Sequence, residues 1–252
     1  MIRTLVALLA LAVPQDRPNI APPPDELKLD PFYKKYLDAD GIPVTSSDKV
    51  SDAALFEAKY LIEQMLKNRP DVRKEMAKRK VRVMVMAPTE MTTDVPEQKH
   101  MDKEFWDARA RGLGGQLTSC GEENLLNLPG DRYVGENILI HEFAHCIANF
   151  GLRRVDKEFQ QRLDKAFANA KEKGLWEKTY ALTNAGEYWA EAVQSYFDCN
   201  RSSDPPNGVH NTVSTREKLK DYDPEVFKLI EDSLGKTEWR YKRPADRVAD
   251  QR

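Results

Sequence analysis

The sequence lacks the features that mark several classes of protein. There is no excess of charge of one sign: 39 Lys and Arg stand against 41 Asp and Glu, a net charge of -2. A nucleic-acid footprint needs a clustered surplus of Lys and Arg, so no nucleic-acid partner is expected. The basic stretch with Arg73, Lys74, Lys78, Arg79, Lys80 and Arg82 reads instead as a solvated helix end leading into a strand. After Val13 no apolar run approaches the ~20 residues that a membrane-crossing helix needs, so the mature chain should have no membrane span. No internal repeat is present. Histidine is scarce, with four in 252 residues, and cysteine scarcer, with three. The odd number leaves at least one thiol unpaired within the chain.

The opening residues are apolar enough to matter. Arg3 supplies a positive start, Leu5 to Val13 is an apolar run, and Ala10, Leu11 and Ala12 fit a small-x-small cleavage site. Together they read as a signal peptide over residues 1–12, which implies a secreted or periplasmic protein. Residues 13–32 are rich in proline and acids, and Pro22, Pro23 and Pro24 predict an extended, poorly packed leader. One domain over 33–240 follows, then a loose polar tail over 241–252. The apolar share of 40% still permits a sizeable core at this length.

Periodicity predicts the elements of that domain. Asp48 or Ser51 can cap a helix that runs to about Lys67, and Pro70 can open another through about Lys78. Val81 to Met86 alternates as a strand. A short helix is placed around Phe105, turns at Gly112, Gly114 and Gly115, and an edge strand within Leu117 to Leu128. Further helices are placed at 137–150, ended by Gly151, and at 155–173, 185–197, 214–220 and 224–234. The fold class is therefore α+β, mostly helical, with a small sheet.

The chemistry concentrates in residues 141–145. His141 and His145 are four apart, so on a helix both imidazoles lie on one face, close enough to share a metal ion. Glu142 is one residue on, able to reach a metal-bound water without being a ligand. This is the His-Glu-x-x-His pattern of zinc hydrolases. Its neighbours Ile138, Leu139, Ile140, Phe143, Ile147 and Phe150 make the helix apolar almost all round. Two histidines and a glutamate buried there without partners would be costly. Cys146 sits in that helix, so Cys120 with Cys199 is the preferred disulfide if one forms.

A catalytic zinc usually takes three protein ligands and one water. The metzincin continuation is missing, because Ala148 and Gly151 hold the positions of its glycine and third histidine. His100 and His210 fall in loops, and a loop histidine such as His210 is expected to be exposed. The better source is the segment with Glu187 and Glu191, four apart amid Tyr188, Trp189, Ala190, Ala192 and Val193. Glu187 is the candidate third ligand. Glu191 behind it could accept an imidazole N–H and fix the ring's tautomer.

His141, Glu142 and His145, then Tyr180, then Glu187 with Tyr188, Trp189, Ala190 and Glu191, resemble the gluzincin peptidases. The resemblance is to the anthrax lethal factor catalytic domain and the Pro-Pro endopeptidases, and it covers roughly residues 130–235. It implies a zincin-like domain with one zinc ion on His141, His145 and Glu187, and a peptide or protein substrate. It also implies a metal-facing, catalysis-assisting Tyr180. Two other readings stay open: a zinc hydrolase of a non-peptide amide or ester, and a non-catalytic zinc-containing binding domain.

Overall fold

The computed structural model describes residues 19–249. The signal segment expected at 1–12 lies outside them. The chain opens with β1 (Lys35–Ala39) and β2 (Ile42–Ser46), an antiparallel hairpin. Its turn is Asp40 and Gly41, with φ of 52° and 91°, the pair of left-handed residues that a two-residue hairpin demands. α1 (Asp52–Leu66) and α2 (Pro70–Lys78) then cross back to β3 (Arg82–Met86). Ser51 caps α1, its hydroxyl accepting from the Ala54 N–H at 3.4 Å, and Pro70 opens α2.

β2, β3 and β5 (Leu117–Gly121) run parallel, and β4 (Gly112–Leu113) closes the sheet antiparallel to β5. The strand order is β1-β2-β3-β5-β4. β3 is buried on both faces. Val83 and Val85 meet the helices, while Met84 and Met86 pack with Tyr33 and Val95 on the other side. The edge strand expected within Leu117 to Leu128 is thus interior. The edge on that side is the two-residue β4, too short to show alternation, and residues after Gly121 turn into α4 (Glu122–Leu125).

α3 (Lys103–Arg109) precedes β4, and α5 (Ile138–Cys146) begins the helical half. Gly151 does not end that helix. The chain continues through a π turn at Ile147–Leu152 into α6 (Arg153–Val155). The glycine serves a close approach instead, since a Cβ there would lie 2.5 Å from Val72 Cγ1 of α2. Gly151→Ala is therefore expected to lower stability by about 1–2 kcal/mol. The overpacking penalty of ~1–3 kcal/mol outweighs the helix propensity gained, ~1 kcal/mol. Urea unfolding should show a lower midpoint at unchanged slope.

α8 (Ala185–Tyr196) packs on α5, and α7 (Phe159–Glu172), α9 (Arg216–Tyr222) and α10 (Pro224–Leu234) pack on α8. Trp189 Nε1 donates to Ala144 O at 3.0 Å, locking α8 to α5. Buried Asp223 accepts from Trp176 Nε1 at 2.9 Å and the Tyr188 hydroxyl at 2.7 Å. Two segments read as loose are tied down. Ala21, in the proline-rich stretch, bridges to Tyr36. Past Arg240, the Tyr241 N–H donates to Phe197 O at 2.8 Å, and α11 (Pro244–Ala249) brings Arg247 to Glu57. Cys120, Cys146 and Cys199 are all buried and free, so the preferred Cys120 to Cys199 bridge is not formed. No helix among the described residues is long and apolar enough to cross a membrane.

Candidate metal centre

Two asparagines set the start of α5. Asn124 Oδ1 accepts from the Ile138 N–H at 2.7 Å, and Asn137 Oδ1 from the Ile140 N–H at 3.0 Å. With that start fixed, Leu139, Ile140, Phe143 and Ala144 point into the core. His141 and His145 are left facing α8. Asn184 caps α8, its Oδ1 accepting from the Glu187 N–H at 3.0 Å, which places Glu187 in the first turn opposite the two imidazoles.

Three ligand atoms then converge. His141 Nε2 and His145 Nε2 each lie 3.2 Å from Glu187 Oε2, and 3.3 Å from each other. A tetrahedral ion with bonds of ~2.0–2.1 Å requires ligand atoms about 3.3 Å apart, which these edges match. Hydrogen bonding alone does not account for the trio. If both Nε2 atoms donate to Glu187, two N–H groups confront each other. If neither donates, three lone pairs do, and if only one donates, the other ring's lone pair still faces the carboxylate. A cation at the centre satisfies all three, so the residues present fit a metal such as zinc.

The tautomer is set from behind. His141 Nδ1 lies 2.8 Å from Gln194 Oε1, and the Gln194 amide nitrogen donates to Asn137 O at 3.3 Å. A proton therefore sits on Nδ1, which leaves Nε2 as the nitrogen that can ligate an ion at the centre. Glu191 stands farther from the same nitrogen, at 3.6 Å, and accepts from Asn200 Nδ2 at 2.9 Å. Gln194 escaped the sequence reading, although it lies seven residues past Glu187 and three past Glu191, on the same helical face. Removing such a partner typically weakens metal affinity about ten- to a hundredfold. Gln194→Leu should show that loss in chelator competition while its circular dichroism is unchanged.

The local field favours positive charge at the centre. Burial opposes a charged His141. The Glu187 hydrogen bond and the charges of Glu142, Glu191 and Glu187 override it and push its pKa up to about 10. Glu187 is itself held well below the usual carboxylate range, because the two imidazoles outweigh its burial. Glu142 is shifted the other way: burial raises it, against the pull of His141, His145 and the Gly114 N–H.

A cleft of about 620 Å³ opens over these groups. β4 forms one wall. A Cβ on Gly112 would lie 2.5 Å from Ile138 Cγ2, and one on Gly114 would lie 2.9 Å from His145 Cβ and 3.0 Å from Glu142 Oε2. These glycines, expected as turn residues, let the sheet edge lie directly on the metal-site helix. Tyr180 lies opposite, half-buried, with its ring 6.5 Å from that of His141. Its hydroxyl pKa is raised by burial and then by the adjacent Glu187. The Tyr180 N–H donates to Val209 O at 2.9 Å, which draws in the following loop. His210, expected to be exposed, is only 6% exposed and lines the cleft. Its Nε2 is 3.2 Å from Glu136 Oε1, too poorly aligned for a hydrogen bond. His100 is exposed and is not among the residues lining the cleft.

No protein-family model matches the chain, and no curated protein matches it. Among solved structures it is similar to a Pro-Pro endopeptidase from Paenibacillus alvei, with 15% identity and a TM-score of 0.49 over 75% of this chain and 96% of that one.

Proposed function

We propose that the chain is an exported zinc metallopeptidase of the gluzincin type, holding one zinc ion on His141, His145 and Glu187. What carries this reading is the triangle of ligand atoms with 3.2–3.3 Å edges and a carboxylate one residue along, on the same cleft. When bound, zinc supplies a Lewis acid that polarises a carbonyl and brings the pKa of a water to ~7. Glu142 accepts a proton from the attacking water and passes it to the leaving nitrogen, a task that its raised pKa suits. The Tyr180 hydroxyl donates to the carbonyl oxygen as negative charge develops there. Gln194 and Glu191 hold His141 in place.

The free side of β4 supports a peptide over another amide or ester. It is the last strand of the sheet and lines the cleft, so an extended peptide can add to it as a further strand. A silent binding domain is disfavoured. Three clustered ligands leave a coordination position open, whereas a structural zinc is normally closed by four. Export rests on residues 1–12.

The deciding experiment is digestion of a peptide library with and without a chelator. Chelator-sensitive cleavage is expected, and no cleavage by zinc-loaded protein would overturn the peptidase reading. Tyr180→Phe should lower kcat about a hundredfold with KM little changed, the signature of an interaction made only in the transition state.

A further inference from the structure

We propose that the rim of this cleft reads a carboxylate on the substrate, through Arg109, Arg132 and Arg201. The proposal rests on the peptidase reading for the substrate's backbone but not for its charge. All three arginines line the cleft and are exposed. Ion pairing separates them from most of the arginines among the described residues. Arg69, Arg73, Arg79, Arg82, Arg111, Arg162, Arg240, Arg243 and Arg247 each face a carboxylate. Among the described residues none of the three on the rim does.

Their surroundings hold them without neutralising them. Arg132 Nη1 donates to Asp107 O at 3.1 Å and Ala108 O at 2.9 Å, which leaves the rest of its fork free. Arg109 lies 6.0 Å from the Phe105 ring, and its charge reaches the Tyr180 hydroxyl. The Arg201 stem runs past Gly135, with Cγ 3.9 Å from where a Cβ would be.

The acids of the cleft do not answer these charges, because each has a partner deeper in. Glu187 lies between the imidazoles, Glu142 interacts with both imidazoles, Glu191 takes Asn200, and Glu136 faces His210. The cleft is thus internally matched at its floor and unmatched in cations at its mouth. A guanidinium fork matches a carboxylate in geometry as well as charge. The carboxylate could be an Asp or Glu side chain near the scissile bond or the free C-terminus of a peptide.

The test measures binding by fluorescence anisotropy on the zinc-loaded full chain carrying Glu142→Gln, so that peptides persist. Four labelled peptides share one sequence: internal Glu or Gln, each with a free or an amidated C-terminus. Tighter binding of about tenfold for the Glu pair assigns the rim to a side chain. The same gain for the free-terminus pair assigns it to a chain end. In either case the gain should shrink as salt rises, and should fall at least fivefold when Arg109→Gln, Arg132→Gln and Arg201→Gln are combined. Affinities within twofold across all four peptides would overturn the proposal, as would a gain that survives the triple change. If the carboxylate gain is found but the zinc-loaded wild-type chain cleaves no member of the peptide library, the peptidase reading fails and the rim assignment stands.

Discussion

Glu142→Gln is expected to lower kcat/KM for peptide hydrolysis about a thousandfold while zinc content stays at about one per chain. The magnitude is that of general acid–base catalysis, ~10²–10⁴. The two halves of the result come from different atoms. The converging ligand atoms belong to His141, His145 and Glu187, so an amide at position 142 leaves them in place. Glutamine also keeps the volume of glutamate, whose Oε2 lies 3.0 Å from where a Gly114 Cβ would be, so the wall formed by β4 should not move. What is lost is the basic oxygen. Metal analysis beside single-turnover kinetics checks both halves. Hydrolysis within tenfold of wild type would remove Glu142 as the base.

The parts of this site legible in the sequence are those that obey helical spacing. His141 with His145 and Glu187 with Glu191 are each four apart, and charged or ligating groups amid apolar neighbours stand out because burying them is costly. The structure brings His141, His145 and Glu187 to one point. Gln194 was illegible for a chemical reason: a neutral amide costs less to bury than a charged group, so it stands out less amid apolar neighbours. His210 was misjudged because its loop has turn chemistry, with Pro206, Asn207 and Gly208 close by. Pro206 to Val209 are exposed, and what brings His210 inward is a longer-range bond next to it, from the Tyr180 N–H to Val209 O.

Among the fold elements, the long helices and β3 showed their period over enough residues to be read. β4 has two residues and no period at all. Gly151 shows how local chemistry misleads, since a glycine near a helix end signals a cap, whereas here it admits Val72 of a neighbouring helix.

Glu187→Ala is expected to empty the centre: about one zinc per wild-type chain, near none in the variant, with loss of all metal-dependent activity. The stability consequence is as large. A ligand that binds only the folded state at a thousand times its Kd stabilises by ~4 kcal/mol. For a domain of this size that corresponds to a zinc-dependent rise in Tm of about 10 °C. Wild-type protein should show that rise on zinc addition in a thermal scan, and Glu187→Ala should not. Two imidazoles alone remain after the change, and the carboxylate that would share the ion with them is gone. Full occupancy in the variant would mean that another group closes the site. Glu142, whose carboxylate also interacts with both imidazoles, is the residue placed to do so. In that event Glu142→Gln would lose zinc as well as activity, so the two substitutions together separate a base beside the metal from a ligand on it.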